Sequence, residues 1–205
     1  PGPRLDVRNP AHRGDLVGHV QEASPADREF ALIRADHATR LWRDTAPAER
    51  AAILRRAADG VEEEREALAA LMVREAGKTL PNAFGEVRET VDFLLYYAAR
   101  AAEGFDSAPH RPLGIVACIS PWNFPLSIFT GQVAAALAAG NTVVAKPAEQ
   151  TPLIAAEAVR ILRAAGVPPG ALQMLPGRGE SVGAGLVADE RVQGVLFTGS
   201  VAVAR

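Results

Sequence analysis

The carboxyl-terminal half of the chain alternates short apolar runs with longer Ala-rich segments. The runs have the length of buried strands, and the segments between the first three runs have the length of helices. Strands that alternate with helices at this spacing predict an α/β fold with a Rossmann-like parallel sheet and crossover helices. The four predicted strands are 114–119, 142–146, 172–175 and 194–198.

The amino-terminal third has the period of amphipathic helices. A first helix opens at 24–27, which has the spacing of a capping box with Pro25 as the first helical residue. Proline starts and glycine stops predict a second helix over 47–77 and a third over 81–104. The predicted core face of the first helix carries Phe30, Ile33, His37 and Leu41.

Two shorter segments frame these helices. The stretch 7–20 predicts a small hairpin, and the stretch 103–112, which has no apolar period, predicts a connector into the sheet. We therefore expect a hairpin and helical portion over 1–110, followed by a Rossmann-like portion over 111–205.

Residues that could bind a ligand or take part in a reaction follow the predicted strands. Ligands of parallel sheets bind beyond the carboxyl ends of the strands, so these residues are expected to share one edge. Packing alone does not account for that coincidence, and the sequence predicts a ligand site there. The residues are Asn123, Lys146, Glu149, the segment 177–183 and the pair Gly199-Ser200.

Asn123 lies between Pro121 and Pro125, which restrict the backbone on both sides. An amide held in this way suits the stabilisation of a developing oxyanion, because its donor needs no reorganisation when charge appears. The competing interpretation is a turn in which Asn123 caps the following helix.

Lysine is rare in this chain. Among 22 basic side chains only Lys78 and Lys146 are lysines, and the two cation types are not interchangeable donors. Lys146 therefore marks a strand end that requires a compact ammonium, either for a ligand or for a salt bridge to Glu149. Lys78 belongs to Gly77-Lys78-Thr79, which is similar to the end of a P-loop but lacks its first glycine, and is interpreted as a helix end.

The single cysteine, Cys118, lies inside the apolar run 115–119 without a basic neighbour. A buried thiol without such a partner is inert, so we expect a small core residue rather than a nucleophile. One cysteine also suits a reducing compartment.

Three ordered motifs resemble those of the aldehyde dehydrogenase superfamily. They are PWNFP at 121–125, KPAEQTP at 146–152 and FTGS at 197–200. A longer match over 111–203 is most similar to the L-glutamate γ-semialdehyde (1-pyrroline-5-carboxylate) dehydrogenase domain of the bifunctional proline utilization A flavoproteins. The resemblance implies an aldehyde-dehydrogenase-like fold that is incomplete in these 205 residues.

The resemblance also implies roles for the site residues. Asn123 would donate to the oxyanion, and Lys146 and Glu149 would hold the adenosine ribose. A carboxylate at that position would repel a 2′-phosphate, so NAD is favoured over NADP. The other predicted cofactor-binding residues are Ile119, Ser120, Pro121, Trp122, Gly179, Gly183, Phe197, Thr198, Gly199 and Ser200. Glu89 is the predicted contact to the aldehyde, with a solvent-facing helix position as its alternative.

In this superfamily a catalytic cysteine forms a thiohemiacetal with the aldehyde, and a glutamate activates water. The resemblance places both after 197–200, so we expect these 205 residues to be inactive alone and to act within a longer polypeptide. Whether that polypeptide includes an FAD proline dehydrogenase domain stays open. The alternatives are another semialdehyde dehydrogenase, for example for succinate semialdehyde, and a noncatalytic NAD-binding or assembly module.

Composition limits the partners. A net charge of −2 gives no excess of positive charge of the kind that attracts nucleic acid or an anionic membrane. No apolar run approaches the roughly 20 residues of a membrane span. The four histidines show no paired ligand spacing, so no metal site is predicted. We expect a cytoplasmic protein that acts on a small aldehyde and forms homo-oligomers.

Overall fold

A computed structural model describes residues 2–104 and 110–201. The first part is an antiparallel hairpin followed by four helices, which confirms the predicted hairpin and helical segments. The elements are β1 (Arg4–Arg8), β2 (Leu16–Gln21), α1 (Pro25–Asp44), α2 (Pro47–Glu63), α3 (Arg65–Ala76) and α4 (Leu80–Gly104). Of the predicted connector 103–112, residues 105–109 lie outside the described part.

The capping box of α1 forms as predicted. The Asp27 N–H donates to Ser24 Oγ at 3.2 Å, and the Ser24 N–H donates to Asp27 Oδ2 at 2.8 Å. These reciprocal bonds satisfy two backbone donors that a helix start otherwise leaves without partners.

The predicted core face of α1 is wrong. Phe30 and Leu41 are 60% and 69% exposed, and Ile33 and His37 are exposed as well. The face that packs against the sheet is the neighbouring one, where Ala31 and Ala35 let the helix approach closely beside the larger Leu32 and Trp42. Its buried residues are Ala31, Leu32, Ala35 and Trp42.

The predicted second helix is two helices. The backbone leaves helical geometry at Glu64, where φ is −99° and ψ is 12°, between α2 and α3. At the end of α3, Gly77 adopts a left-handed conformation with φ of 67°, a geometry that glycine tolerates best. This confirms that Gly77-Lys78-Thr79 includes a helix end.

The second part is a parallel sheet wound with helices, as the alternation of apolar runs predicts. Its strands lie in the order β5, β4, β3, β6, with α5 joining β3 to β4 and α6 joining β4 to β5. The elements are β3 (Ile115–Ile119), α5 (Ser127–Ala138), β4 (Thr142–Lys146), α6 (Pro152–Ala164), β5 (Leu172–Met174), a π-helix (Gly179–Gly183), α7 (Ala184–Val187) and β6 (Val192–Phe197).

Strands β3 and β4 are buried on both faces, whereas β6 is partly exposed. Side chains alternate between the faces of a strand, so Val116 and Cys118 join the core formed with α2 to α6, whereas Ile115 and Ala117 join the core formed with α1 and α7. Burial on both faces explains why the strands read as continuous apolar runs. No described helix has the length and apolar character needed to cross a membrane.

Candidate active site

Three strand ends meet at one edge of the sheet. Ile119, the last residue of β3, is in register with Lys146 of β4 on one side and Phe197 of β6 on the other. The ladder continues beyond the strands, because the Ser120 N–H donates to the Lys146 carbonyl at 3.2 Å and the Thr198 N–H donates to the Ile119 carbonyl at 3.1 Å. The structure therefore brings together the residues that the sequence places after three separate strands.

This edge lies at a reversal of strand order. From β3 the chain proceeds to β4 and β5 on one side and later returns to β6 on the other side of β3. The crossover connections diverge at such a point and leave a crevice at the carboxyl ends of the strands. By this rule, the ligand crevice is expected between the ends of β3 and β6.

Gln132 links these two strand ends. Its Nε2 donates to the carbonyl of Ile119 at 3.2 Å and to Thr198 Oγ1 at 3.0 Å. The residue lies on α5, and its position within an Ala-rich helix had no distinguishing signal in the sequence. These two hydrogen bonds connect α5 to the ends of β3 and β6.

Asn123 lies in the turn between β3 and α5. Its side chain is exposed and makes no hydrogen bond within the described ranges, so the amide is available to a ligand. The first residues of α5 are capped by another side chain: the N–H groups of Leu126 and Ser127 donate to Glu86 Oε1 at 2.7 and 3.1 Å. The alternative in which Asn123 caps this helix is therefore wrong.

Glu86 belongs to a buried ion pair with Lys78. The Lys78 Nζ lies 2.6 Å from Glu86 Oε2 and 4.4 Å from the centroid of the Phe124 ring. The sequence interpretation missed both partners. The scarcity of lysine could have identified Lys78, but its place beside a helix-ending glycine concealed it.

Lys146 is buried at the end of β4. Its Nζ donates to the carbonyls of Pro147 at 2.9 Å and Gly177 at 3.0 Å, and it lies 3.6 Å from Glu149 Oε2. Burial lowers the pKa of Lys146, and the charges of Glu149 and Glu180 act in the opposite direction. The predicted salt bridge to Glu149 is present, yet the Glu149 side chain is 43% exposed and remains accessible to a ligand.

The glycine-rich segment folds over this lysine. It forms the π-helix, a rare conformation that is frequent at functional sites. A Cβ built on Gly183 would lie 3.5 Å from Lys146 Cδ, so Gly183 and Lys146 are neighbours. At Gly179 a Cβ would meet no atom of the described chain within 4 Å, which leaves open space beside the backbone.

The donor set suits a dinucleotide. Ser120 Oγ and Thr151 Oγ1, just after β3 and just before α6, are buried without a hydrogen-bond partner in the described part of the chain. They are orphaned polar groups of this edge, and the 43% exposed carboxylate of Glu149 offers the kind of acceptor that ribose hydroxyls require. The residues present therefore fit such a ligand.

The sequence pattern of the aldehyde dehydrogenase family matches residues 2–205. The chain belongs to this family. It is 62% identical over 203 residues to the bifunctional protein PutA of Klebsiella aerogenes, covering 99% of this chain and 16% of that protein.

Solved structures of aldehyde dehydrogenase relatives have the same fold. Proline utilization A from Bdellovibrio bacteriovorus, inactivated by N-propargylglycine, is 36% identical with a TM-score of 0.95 and is matched over 100% of this chain and 23% of its own. The 1-pyrroline-5-carboxylate dehydrogenase from Thermus with bound NAD is 38% identical with a TM-score of 0.91, over 98% of this chain and 42% of its own. The chain thus spans less than half the length of these relatives.

Cys118 is a core residue of this aldehyde dehydrogenase sheet. Its side chain is buried, and burial raises the pKa of the thiol far above its usual range. Its burial confirms the sequence interpretation of a small core residue.

The remaining predicted site residues lie at exposed positions. Glu89 is exposed on α4, one turn beyond Glu86, and its contact with the aldehyde stays a prediction. Gly199 and Ser200 lie near the end of the described part, and residues 202–205 lie outside it. Trp122, Thr198, Gly199 and Ser200 are exposed near the strand ends.

Among the residues described, no three His, Cys, Asp or Glu side chains lie together as metal ligands.

Proposed function

We propose that this chain contributes the cofactor-binding and oxyanion-stabilising part of an NAD-dependent aldehyde dehydrogenase. Within the complete polypeptide, the enzyme would oxidise L-glutamate γ-semialdehyde to L-glutamate in proline catabolism. The observation that carries the proposal is the alignment of Ile119, Lys146 and Phe197 at a reversal of strand order, with Asn123 in the turn that follows.

NAD would bind along this edge and, when bound, would accept the hydride that the aldehyde carbon loses. Glu149 would accept hydrogen bonds from the ribose hydroxyls, with Lys146 beside it. The backbone of 119–122 would line the nicotinamide half, and Gly179 and Gly183 the adenine half. The backbone of 197–200, at the end of β6, would approach the pyrophosphate.

Asn123 would act on the aldehyde oxygen. When a nucleophile adds to the carbonyl carbon, the C=O π electrons move to oxygen, and that oxygen becomes an anion. The exposed amide of Asn123 makes no hydrogen bond in the described part of the chain, so it can donate its N–H to that charge without first breaking another bond.

The substrate assignment is supported by the names of the relatives. Proteins called PutA and 1-pyrroline-5-carboxylate dehydrogenase match nearly the whole chain at 62% and 38% identity. A panel of aldehydes tested on the full-length protein separates this assignment from another semialdehyde. The highest kcat/KM with glutamate γ-semialdehyde is expected, and a higher value with succinate semialdehyde would overturn it.

The cofactor assignment is tested by calorimetric titration of the full-length protein with NAD. Glu149→Ala should weaken binding about 10- to 100-fold, since hydrogen bonds to charged groups contribute about 1.5–3 kcal/mol. Glu190→Ala is the matched control, because this exposed carboxylate precedes β6 at the opposite edge of the sheet. Equal affinities of the two variants would contradict the proposed site.

The role of Asn123 is tested by steady-state kinetics of Asn123→Ala. The loss of one oxyanion donor should lower kcat by about 10²- to 10³-fold and leave NAD affinity unchanged. Unchanged turnover would remove Asn123 from the mechanism.

A further inference from the structure

Helix α5 is capped by a side chain from α4. The Glu86 side chain is 0% exposed, and its Oε1 accepts the N–H groups of Leu126 and Ser127. The residue before α5 is Leu126, whose side chain has no acceptor. A carboxylate at this place satisfies two backbone donors and complements the positive end of the helix dipole.

Lys78 completes the arrangement from the end of α3. Its Nζ neutralises Glu86 Oε2 at 2.6 Å and lies over the ring of Phe124 at 4.4 Å, a distance typical of a cation–π contact. The Lys78 side chain is only 12% exposed, so both contacts lie mostly out of water, where electrostatic attraction is stronger. One ion pair therefore holds Phe124 through its ring and Leu126 through its backbone.

The turn that carries Asn123 is consequently held at both ends. On the strand side, Ser120 is bonded to the Lys146 carbonyl. On the helix side, the Phe124 ring contacts Lys78, and the Leu126 N–H donates to Glu86. The Asn123 amide has no hydrogen bond of its own in the described part of the chain, so the direction in which it donates depends on the backbone that these anchors hold.

We propose that Lys78 and Glu86 are positioning residues for the reaction: the ion pair holds Asn123 where it can donate to the oxyanion. This inference rests on the proposed function of Asn123. A buried ion pair is weak support for stability, because apolar replacements of similar volume are often neutral or stabilising. The contacts of this pair with Phe124 and Leu126 point instead to the orientation of the turn that carries Asn123.

The test uses the full-length protein with Glu86→Gln and the double variant Lys78→Met/Glu86→Gln. A small misplacement of a reacting group can reduce a rate about 10²-fold, so kcat should fall about 10- to 10²-fold. The KM for NAD should change much less than kcat, because the proposed ribose contact, Glu149, follows β4 and lies outside this turn. The double variant carries the test if the single variant fails to fold, since it leaves no buried charge without a partner.

The deciding measurement is a cycle with Asn123→Ala. If the ion pair acts through Asn123, Glu86→Gln should lower kcat in the wild-type background and cause no further loss in the Asn123→Ala background. Equal losses in both backgrounds would overturn the positioning role and leave the function of Asn123 intact. An Asn123→Ala variant with wild-type kcat would overturn both proposals, so the two failures are distinguishable.

Glu75→Gln is the matched control. Glu75 on α3 is also buried and caps α6 through the N–H groups of Leu153 and Ile154 at 2.7 and 2.9 Å. Its loss should lower the melting temperature in mildly acidic buffer, with kcat unchanged. A comparable fall of kcat in Glu75→Gln would show that any lost helix cap has this effect and would contradict a specific role of the Lys78–Glu86 pair.

Discussion

Ile119 and Lys146 are register partners at the ends of neighbouring parallel strands, and the ladder extends one further bond from the Ser120 N–H to the Lys146 carbonyl. This pairing joins the two halves of the candidate site. The turn with Asn123 begins just after Ile119, and the segment with Glu149 begins at Lys146. The starting points of the turn and of this segment are therefore separated by the spacing of neighbouring strands, which is roughly 4.8 Å.

Glu149 should determine the choice of dinucleotide. In Glu149→Gln the negative charge that would repel a 2′-phosphate is lost, while an acceptor for the ribose remains. We expect the preference for NAD over NADP, measured as the ratio of kcat/KM values, to fall by about tenfold or more, since like charges in contact cost several kcal/mol. Glu190→Gln is the control and should retain the wild-type ratio. An unchanged ratio in Glu149→Gln would place the 2′-position elsewhere.

Two neighbouring glycines should respond differently to alanine. Gly177 has φ of 154°, and a Cβ there would lie 2.5 Å from Val182 Cγ2, whereas Gly179 has open space. Gly177→Ala should destabilise the protein by about 1–3 kcal/mol through backbone strain, measured by denaturant unfolding. Gly179→Ala should keep its stability and weaken NAD binding if the adenine approaches that backbone. Equal stability of the two variants would contradict the described conformation of Gly177.

Glu75 should make stability depend on pH. Burial raises the pKa of its carboxyl to about 7, although the N–H groups of Leu153 and Ile154 act in the opposite direction. The folded state therefore keeps this proton at pH values where the unfolded chain has released it, and stability falls as pH rises from about 4.5 to about 7. The whole effect is about 3 kcal/mol.

Denaturant unfolding at several pH values checks this prediction. The advantage of the wild type over Glu75→Gln should be largest near pH 4.5 and shrink toward pH 7. Asp15 does not interfere, because the hydrogen bonds from Arg74 lower its pKa to about 2 and its contribution changes only in more acidic solution. Parallel stability curves for wild type and variant would show that Glu75 is not protonated in the fold.

Cys118 should resist alkylation in the folded protein. Its thiol is buried and its pKa is raised, so iodoacetamide at neutral pH should modify the peptide that contains Cys118 only after unfolding. Mass spectrometry of native and urea-unfolded samples measures the difference. Cys118→Ala should keep kcat, and rapid labelling of the native protein would indicate an exposed thiol.

The aldehyde dehydrogenase fold was predictable where the local pattern and the tertiary structure agree. The apolar runs that become β3 and β4 are buried on both faces, so their composition alone identifies them as strands. The capping box at Ser24 and the left-handed Gly77 follow from local backbone chemistry. The core face of α1 was not predictable in this way, because the apolar period favours the face of Phe30 and Leu41, whereas the helix packs through the neighbouring face with Ala31 and Ala35.

The sequence by itself determined the four strands and the place of Asn123, Lys146 and Glu149 at or just after a strand end, because strand length, proline and glycine act over a few residues. Only the tertiary structure decided which distant groups meet. Lys78, just after α3, and Glu86, on α4, contact the turn that leads into α5. Gly183 lies beside Lys146, although the two are 37 positions apart in the chain. Such contacts depend on how helices pack on the sheet, and side-chain packing leaves no periodic signal in the residues between the partners.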